Sequence, residues 1–382
     1  MATAIAAPAP AELYLPPLVV FGRGALEQAG ARARAYGRHA LVITDRGLVA
    51  TGLVERVTGN LRAAGVESTV FAGVEPNPTV PQVEAALAAG AGRDIEVVVS
   101  IGGGSAHDCA KMVALVAANG GQVRDYEGSE RAGGAGIPLI AVNTTSGTGA
   151  DVSRFAVITD TERKVKMVIA DRRVMPVLAI NDPLTTVGMP KPVTMASGLD
   201  ALTHSVEAYV SILASDLSDV MALRGVELVS KHLVRAIEAG QDLDAREGMM
   251  LGSLYAGLAI NSALVGATHA LAHALGALLD LPHGVCNGIL LPHVCAVNYA
   301  SRKQRYDRLA SILGGGADGK RLPQLLRRLG DRAGLPRGLA ALGVQKSHIP
   351  ALAERAFADM TMSTNPRLLS ASEVRAIYER AL

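Results

Sequence analysis

The chain has 382 residues, of which 49% are hydrophobic and 19% are charged, and its formal net charge is +2. This length exceeds what one hydrophobic core usually supports, so we expect about two domains, and the apolar content excludes a largely disordered protein. The near-neutral charge, without a basic run or an aromatic platform, argues against nucleic acid as a partner.

The cysteines and the N-terminus predict the compartment. Cys109, Cys286 and Cys295 show no CxxC spacing, and their odd number fits a reducing cytosol better than a disulfide framework. Residues 1–8 lack a charged n-region and a sustained apolar core, so we interpret them as a frayed leader rather than a signal peptide. No uninterrupted apolar run is long enough to span a membrane. A cytoplasmic protein without a membrane partner is the prediction.

Short β-rich runs alternate with helical patterns over the first half of the chain. The predicted strands are 40–44, 68–71, 95–101, 137–142, 155–158, 165–169 and 177–180, with 155–158 and 165–169 forming a hairpin. Strands separated by helices indicate βαβ units and a parallel sheet. We therefore predict a Rossmann-like α/β domain over residues 1–189. From Pro190 onward helical periodicity dominates, which predicts an all-α domain over residues 190–382.

Two glycine-rich loops follow predicted strands and are typical of a phosphate-binding site. Residues 102–105 read Gly-Gly-Gly-Ser and lead into a helix, whose free N–H groups and positive dipole end suit a pyrophosphate. The loop lacks the GxGxxG spacing, so a simple strand-to-helix turn is the alternative. Residues 143–149 supply a second loop rich in hydroxyls and glycine. Asp45, at a strand end, either binds ribose hydroxyls, which would favour NAD over NADP, or caps a helix.

A carboxylate and several histidines carry the spacing of a metal site. Asp200 and His204 lie four residues apart in a helical run, so both side chains leave the same helical face. His269 and His273 repeat that spacing, and a turn holding His283 follows closely. One carboxylate with neutral imidazoles suits Fe²⁺, Zn²⁺, Co²⁺ or Mn²⁺ better than Ca²⁺. Spacing alone does not choose among the histidines, because any one of them could be a hydrogen-bonded core residue.

These motifs together resemble the iron-containing (group III) alcohol dehydrogenases, over nearly the whole chain from Phe21 to Arg367. The resemblance is carried by the glycine loop 102–105 with Asp108 and Lys111, by residues 144–148, by Asp182-Pro183, and by the blocks 198–209, 269–273 and 282–287. Within the family the chain is most similar to the branch of NAD-dependent methanol, 1,3-propanediol and lactaldehyde enzymes.

The resemblance implies which residues bind the metal, which lies beside the substrate and which contact NAD. It implies that Asp200, His204, His269 and His283 bind the metal, Fe²⁺ in the first place, with Zn²⁺ or another divalent metal as alternatives. His273 would lie beside the nicotinamide and substrate, where we predict that it relays a proton, unless it only orients a ligand. The implied NAD cleft would be contacted by Asp45, Asn77, Gly103, Gly104, Ser105, Asp108, Thr144, Thr145, Thr148 and Lys166.

The implied reaction is hydride transfer between a small primary alcohol, or its aldehyde, and NAD(H), with the metal as Lewis acid on the oxygen. Analogy also implies a homo-oligomer, a dimer or larger. Three alternatives remain: reduction of an anionic aldehyde such as phosphonoacetaldehyde, a dehydroquinate-synthase-like lyase, and a non-catalytic nucleotide- or metal-binding protein. At Ala267 and Thr268, where the family usually has bulkier apolar residues, we predict a widened or more polar substrate pocket.

Overall fold

The computed structural model describes residues 11–382, so the predicted leader at 1–8 lies outside the described residues. In chain order the strands are β1 (Val19–Phe21), β2 (His39–Ile43), β3 (Glu67–Phe71), β4 (Val97–Gly102), β5 (Gly128–Ser129), β6 (Leu139–Asn143), β7 (Phe155–Asp160), β8 (Val165–Ala170) and β9 (Leu178–Asn181). Six of them form one sheet in the order β1-β9-β6-β4-β2-β3, and every neighbouring pair is parallel. The prediction of a parallel, Rossmann-like sheet is confirmed.

Helices cover both faces of this sheet, which explains why its central strands are Val- and Ile-rich without alternation. The helices of the first half are α1 (Ala29–Arg34), α2 (Arg46–Ala50), α3 (Leu53–Ala63), α4 (Val80–Gly90) and α5 (Gly104–Asn119). Leu41 and Ile43 of β2 face a core shared with α4 and α5. Val42, between them, faces the opposite core, which α1 and α3 complete. All residues of β4 are buried, and α5 begins two residues after β4 ends.

A small second sheet has the order β5-β8-β7 and contains the predicted hairpin, because β7 and β8 pair antiparallel. The patterns in the sequence missed β1 and β5. Each has at most three residues, and β1 is only half-buried, so neither leaves a period of hydrophobic residues to detect.

The second half of the described chain contains helices and no strands, which confirms the all-α prediction. Its helices are α6 (Lys191–Val210), α7 (Asp216–Glu238), α8 (Leu243–Ala263), α9 (Ala267–Leu279), α10 (His283–Asn298), α11 (Lys303–Ile312), α12 (Leu322–Ala333), α13 (Ile349–Ala358) and α14 (Ala371–Ala381). Because α6 lies at the centre of their shared core, nearly all its residues after Thr194 are buried. The domain boundary at 189/190 stays a prediction. Within residues 11–382 no single helix meets the length and hydropathy expected of a membrane span, although α8 and α9 meet them jointly across a bend of 102°.

The two halves are docked closely along α8. Gly149, in the loop after β6, has a φ of 61°, and a Cβ added there would lie 2.4 Å from the Cα of Gly257. Nearby, the Asn261 side chain donates to the Val152 carbonyl at 2.8 Å and accepts from the Arg154 N–H at 3.0 Å. These backbone contacts fix the position of the β6–β7 segment against the helical half, and the cleft between the halves begins beside them.

Candidate functional site

A cavity of about 390 Å³ lies between the α/β half and the helical half. One wall contains Gly104 and Ser105 at the start of α5, together with residues of β7 and β8. The opposite wall contains the histidines of α6, α9 and α10, and apolar residues such as Ile260 and Val265. The predicted phosphate loop and the predicted metal site therefore face the same cavity.

Three of the four predicted metal ligands converge on this cavity. The Oδ1 atom of Asp200 lies 3.8 Å from Nε2 of His269 and 3.5 Å from Nε2 of His283, and the three donor atoms lie within 4.8 Å of one another. His283 is the first residue of α10 and follows the N-cap Pro282, so it does not sit in the turn that the sequence predicted. The three donor atoms surround a space that is the size of a cation site.

The fourth predicted ligand, His204, adjoins this group without joining it. Its ring stacks on the ring of His269 with a centroid distance of 4.6 Å. Its Nδ1 atom is buried and has no hydrogen-bond partner among residues 11–382. No ring nitrogen of His204 belongs to the set of donor atoms that lie within 4.8 Å of one another, so its place among the ligands stays a prediction.

The electrostatics of these side chains suit a cation. Burial would raise the pKa of Asp200, but the three imidazoles around it outweigh burial and lower that pKa to about 2. Burial lowers the pKa of His204 to about 4 and that of His283 well below its ordinary value. At neutral pH the site therefore contains an ionised carboxylate and at least two neutral imidazoles, which are the protonation states that bind metals.

The sequence analysis missed Glu207, which supports His269 from behind. A carboxylate oxygen of Glu207 lies 2.6 Å from Nδ1 of His269, and Glu207 also accepts from the backbone N–H groups of Gly266 at 2.9 Å and Thr268 at 2.6 Å. The bond fixes the tautomer in which Nε2 of His269 faces Asp200. Glu207 lies seven residues after Asp200, on the same face of α6, so helical spacing could have identified it.

Replacing Glu207 with glutamine should weaken metal binding about 10- to 100-fold while retaining the fold, because the amide has the shape of the carboxylate but not its charge. The dissociation constant of Mn²⁺ or Zn²⁺, measured on metal-free protein by competition with a chelator, tests this. Glu238→Gln, at the exposed end of α7, is the matched control. An unchanged dissociation constant for Glu207→Gln would contradict a role for Glu207 in holding His269.

His273 lines the same cavity one helical turn beyond His269. Its Nδ1 lies 2.9 Å from a carboxylate oxygen of Asp359, and its ring stacks against that of His283 at 5.3 Å between centroids. Burial would raise the pKa of Asp359, but the bond to His273 outweighs burial and holds that pKa below its ordinary range. The Nε2 atom of His273 makes no hydrogen bond to any described residue. No pattern in the sequence indicates Asp359, which lies 86 residues further along the chain.

Six of the ten predicted cofactor residues line the cavity, and four do not. Those in its lining are Asn77, Gly104, Ser105, Asp108, Thr148 and Lys166; those outside it are Asp45, Gly103, Thr144 and Thr145. The two predicted loops nevertheless touch. A Cβ added to Gly103 would lie 2.7 Å from Thr145, and one added to Gly104 would lie 2.8 Å from Thr148. Only glycine permits this approach of the two loops.

Asp45 occupies the N-cap of α2, where its Oδ1 accepts from the Leu48 N–H at 2.9 Å. This is the helix-capping alternative that the sequence left open, and it uses one of the two carboxylate oxygens. A role in binding ribose therefore stays a prediction that the second oxygen would have to fulfil.

A chain of three side chains connects the two halves beside the cavity. The ammonium of Lys166 on β8 donates to Oδ1 of Asn77 at 2.7 Å, and the amide of Asn77 donates to Asp280 at 2.9 Å. Asp280 follows α9, and the Lys166 ammonium lies against Gly276 in the last turn of that helix, where the helix dipole favours a cation. Burial lowers the pKa of Lys166. Two predicted cofactor residues are thus tied to the helix that carries His269 and His273.

The predicted effect of Ala267 and Thr268 on the pocket is wrong. Both residues are buried at the start of α9 and neither lines the cavity. On the helix their side chains point toward the interior. The backbone N–H groups of Thr268 and of the preceding Gly266 donate hydrogen bonds to Glu207.

Comparisons with known proteins give one result over the whole chain. Residues 16–183 match the family model described as iron-containing alcohol dehydrogenase, and residues 194–382 match the model described as the C-terminal part of the Fe-containing alcohol dehydrogenase family. An NAD-dependent methanol dehydrogenase from Bacillus methanolicus is 38% identical, covering 97% of this chain and 99% of its own. A 1,3-propanediol dehydrogenase from Klebsiella pneumoniae is 40% identical, covering 96% and 98%. The crystal structure of a 1,3-propanediol oxidoreductase superposes with a TM-score of 0.95 at 39% identity, covering 98% of this chain and all of that one.

Proposed function

The chain belongs to the iron-containing alcohol dehydrogenase family, and we propose that it transfers hydride between a small primary alcohol, or its aldehyde, and NAD(H) in the cavity between its halves. Membership makes it an NAD-dependent oxidoreductase of alcohols and aldehydes that uses a divalent metal. The observation that carries the finer proposal is the convergence of Asp200, His269 and His283 on a cavity that also contains Gly104 and Ser105.

The side chains present fit a divalent transition metal. Asp200, His204, His269 and His283 would hold it, since they offer one ionised carboxylate and imidazole nitrogens in a buried group. The fit rests on the donor atoms of Asp200, His269 and His283, which lie within 4.8 Å of one another. This mixed nitrogen and oxygen set suits Fe²⁺, our first choice, and also Zn²⁺.

When bound, the metal supplies Lewis-acid polarisation of the substrate oxygen, and NAD supplies the hydride acceptor. Glu207 holds His269 in one orientation through Nδ1. Asp359 does the same for His273, which leaves Nε2 of His273 free to take the proton released by the substrate hydroxyl. Apolar side chains in the cavity lining, among them Ile260 and Val265, keep water away from this transfer.

For the dinucleotide, we propose that the pyrophosphate binds at the start of α5, where Gly104 and Ser105 present backbone N–H groups and a helix dipole. Thr148 and Asp108 would contact the cofactor from the neighbouring loop and the first turns of α5. Lys166 and Asn77 would contact it from the side where they now bond to each other.

The direct test uses purified full-length protein loaded with Fe²⁺ without oxygen, NAD, and a panel of primary alcohols. We expect absorbance from NADH to rise with small primary alcohols and to stop rising when a chelator removes the metal. NADP should support a lower rate than NAD. Absence of NADH formation with every alcohol, and of NADH consumption with every aldehyde, would contradict the proposed function.

Arg154 favours a second candidate, the reduction of an aldehyde that carries an anionic group, such as phosphonoacetaldehyde. It lines the cavity, its Nε donates to the Asn261 carbonyl at 2.9 Å, and its guanidinium lies 4.3 Å from the ring centroid of Tyr14. Its two terminal nitrogens make no hydrogen bond or ion pair within residues 11–382. A guanidinium with free N–H groups is suited to a phosphonate or carboxylate. Arg154 and Lys166 are the only lysine or arginine residues in the described lining, which is fewer than a dehydroquinate-synthase-like lyase would need.

Replacing Arg154 with glutamine should separate the two candidates. If an anionic substituent binds Arg154, kcat/KM for phosphonoacetaldehyde should fall at least about tenfold relative to kcat/KM for propionaldehyde, because a charge-assisted hydrogen bond is lost. Steady-state rates with both aldehydes and NADH measure this ratio. An unchanged ratio would remove the anionic candidate and leave the neutral alcohol or aldehyde as the substrate.

A further inference from the structure

Leu264 directly follows α8 and has a backbone conformation that leucine rarely adopts. Its φ is 59° and its ψ is −173°, a region that in practice only glycine occupies, because a Cβ atom is crowded there. A bulky side chain at a positive φ is an outlier that requires an explanation. Four other non-glycine residues between 11 and 382 have a positive φ, and all of them carry polar or charged side chains: Asn77, Glu130, Lys164 and Asp280.

Hydrogen bonds on both sides hold the backbone of Leu264 in this conformation. The carbonyl of the preceding Ala263 accepts from the Ser211 hydroxyl at 2.5 Å. The carbonyl of the following Val265 accepts from the Thr364 hydroxyl. Backbone strain persists where the surrounding structure determines the conformation, as these two bonds do here. The chain at Leu264 is therefore anchored, and the direction of its side chain is fixed.

The side chain of Leu264 belongs to the cavity and not to a hydrophobic core. Leu264 is partly buried and lines the cavity. The neighbouring Val265 also lines the cavity, but it packs against the core of the helical half. Leu264 neither belongs to nor packs against any of the four hydrophobic cores formed by residues 11–382. Its isobutyl group thus occupies space that a substrate would otherwise fill.

We propose that Leu264 is a specificity-determining residue that limits the length of the alkyl chain of the alcohol. This inference rests on the proposed function, since it assumes that an alcohol is oxidised in this cavity. Because the anchored backbone cannot move away, a longer alkyl chain would have to displace the leucine side chain itself. A substrate that meets this side chain loses the gain from burying its further methylene groups, which is about fourfold in affinity for each.

The test compares Leu264→Gly and Leu264→Ala with the unchanged protein, all as full-length chains loaded with Fe²⁺. Steady-state rates with NAD give kcat/KM for ethanol and for 1-hexanol. We expect the ratio of the 1-hexanol value to the ethanol value to rise at least about tenfold in Leu264→Gly, because the freed space buries additional methylene groups. Leu264→Ala keeps a Cβ atom, and with it the backbone constraint, but loses most of the volume, so its ratio should rise at least about threefold.

The matched control is Lys164→Gly, which also places glycine at a positive φ. Lys164 has a φ of 55°, is exposed in the turn between β7 and β8, and does not line the cavity. Its ratio should therefore stay unchanged. A second measurement needs no variant: in the unchanged protein, kcat/KM should stop rising beyond a limiting chain length, and a continuous rise from ethanol to 1-octanol would overturn the inference.

The variants also separate side-chain volume from backbone flexibility. A ratio that rises in Leu264→Gly but not in Leu264→Ala would overturn the inference, because flexibility would then set the limit. Equal losses of kcat/KM for both alcohols would overturn it too, since Leu264 would then only maintain the connection between α8 and α9. Turnover with an unchanged ratio contradicts this inference alone, whereas an unchanged protein that oxidises no alcohol and reduces no aldehyde contradicts the proposed function as well.

Discussion

Asp200→Asn is expected to lose its metal and nearly all alcohol oxidation, because Asp200 is the one carboxylate among the proposed ligands. Its Oδ1 is the atom around which Nε2 of His269 and Nε2 of His283 are arranged, at 3.8 and 3.5 Å. Asparagine has the same shape but lacks the charge that attracts a divalent cation into a buried site. Since loss of an outer partner costs 10- to 100-fold in metal affinity, loss of the charged ligand should cost at least about 100-fold.

Metal content after dialysis and the dissociation constant from chelator competition measure this effect directly. Asp216→Asn, at the exposed start of α7, is the control and should retain its metal. Asp200→Asn protein that retains stoichiometric metal at wild-type affinity would rule out the proposed coordination.

The second large effect is expected for His273→Ala, which should lower kcat for alcohol oxidation about 100-fold or more while leaving metal content unchanged. The reason is that Asp359 fixes the ring through Nδ1, so Nε2 is left as the free base in the cavity. The dependence of kcat on pH should flatten in the variant, because the proton acceptor is gone. His39→Ala, on the far side of the α/β half, should keep the rate and the pH profile.

The measured metal content decides between the two roles considered for His273. Retained metal with a flattened pH profile supports proton relay. Metal lost together with activity would mean that His273 orients the neighbouring ligands, and the proposed relay would be wrong.

How well the sequence predicts a structural feature depends on how far apart in the chain the residues that determine it lie. The spacing of four between Asp200 and His204, and between His269 and His273, specifies a helical face, and both helices were predicted correctly. The strand runs and the hairpin were also predictable, since they depend on local periodicity. The packing of α6, α9 and α10 brings these faces together. The resemblance to the family implies that the faces meet, whereas the spacing of the residues does not predict it.

Contacts that support the site lie beyond such local patterns. Asp359 meets His273 across 86 residues, and Asn287 meets Asp200 across 87, so neither pair has a periodic signature. The interpretation of Ala267 failed for a related reason. Ala267 lies two residues before His269 and points elsewhere on the helix, because each step along a helix turns the side chain by about 100°.

The contact between Gly149 and Gly257 sets how closely the two halves approach each other. At that point one backbone lies directly against the other, with no side chain between them. Side chains can change rotamer, but the thickness of a peptide backbone cannot change. The separation of the two halves at this point is therefore fixed by main-chain atoms, and under the proposed function so is the gap across which an alcohol carbon would reach a nicotinamide ring. The methyl group of an alanine at either glycine would push the two backbones apart and lengthen that gap.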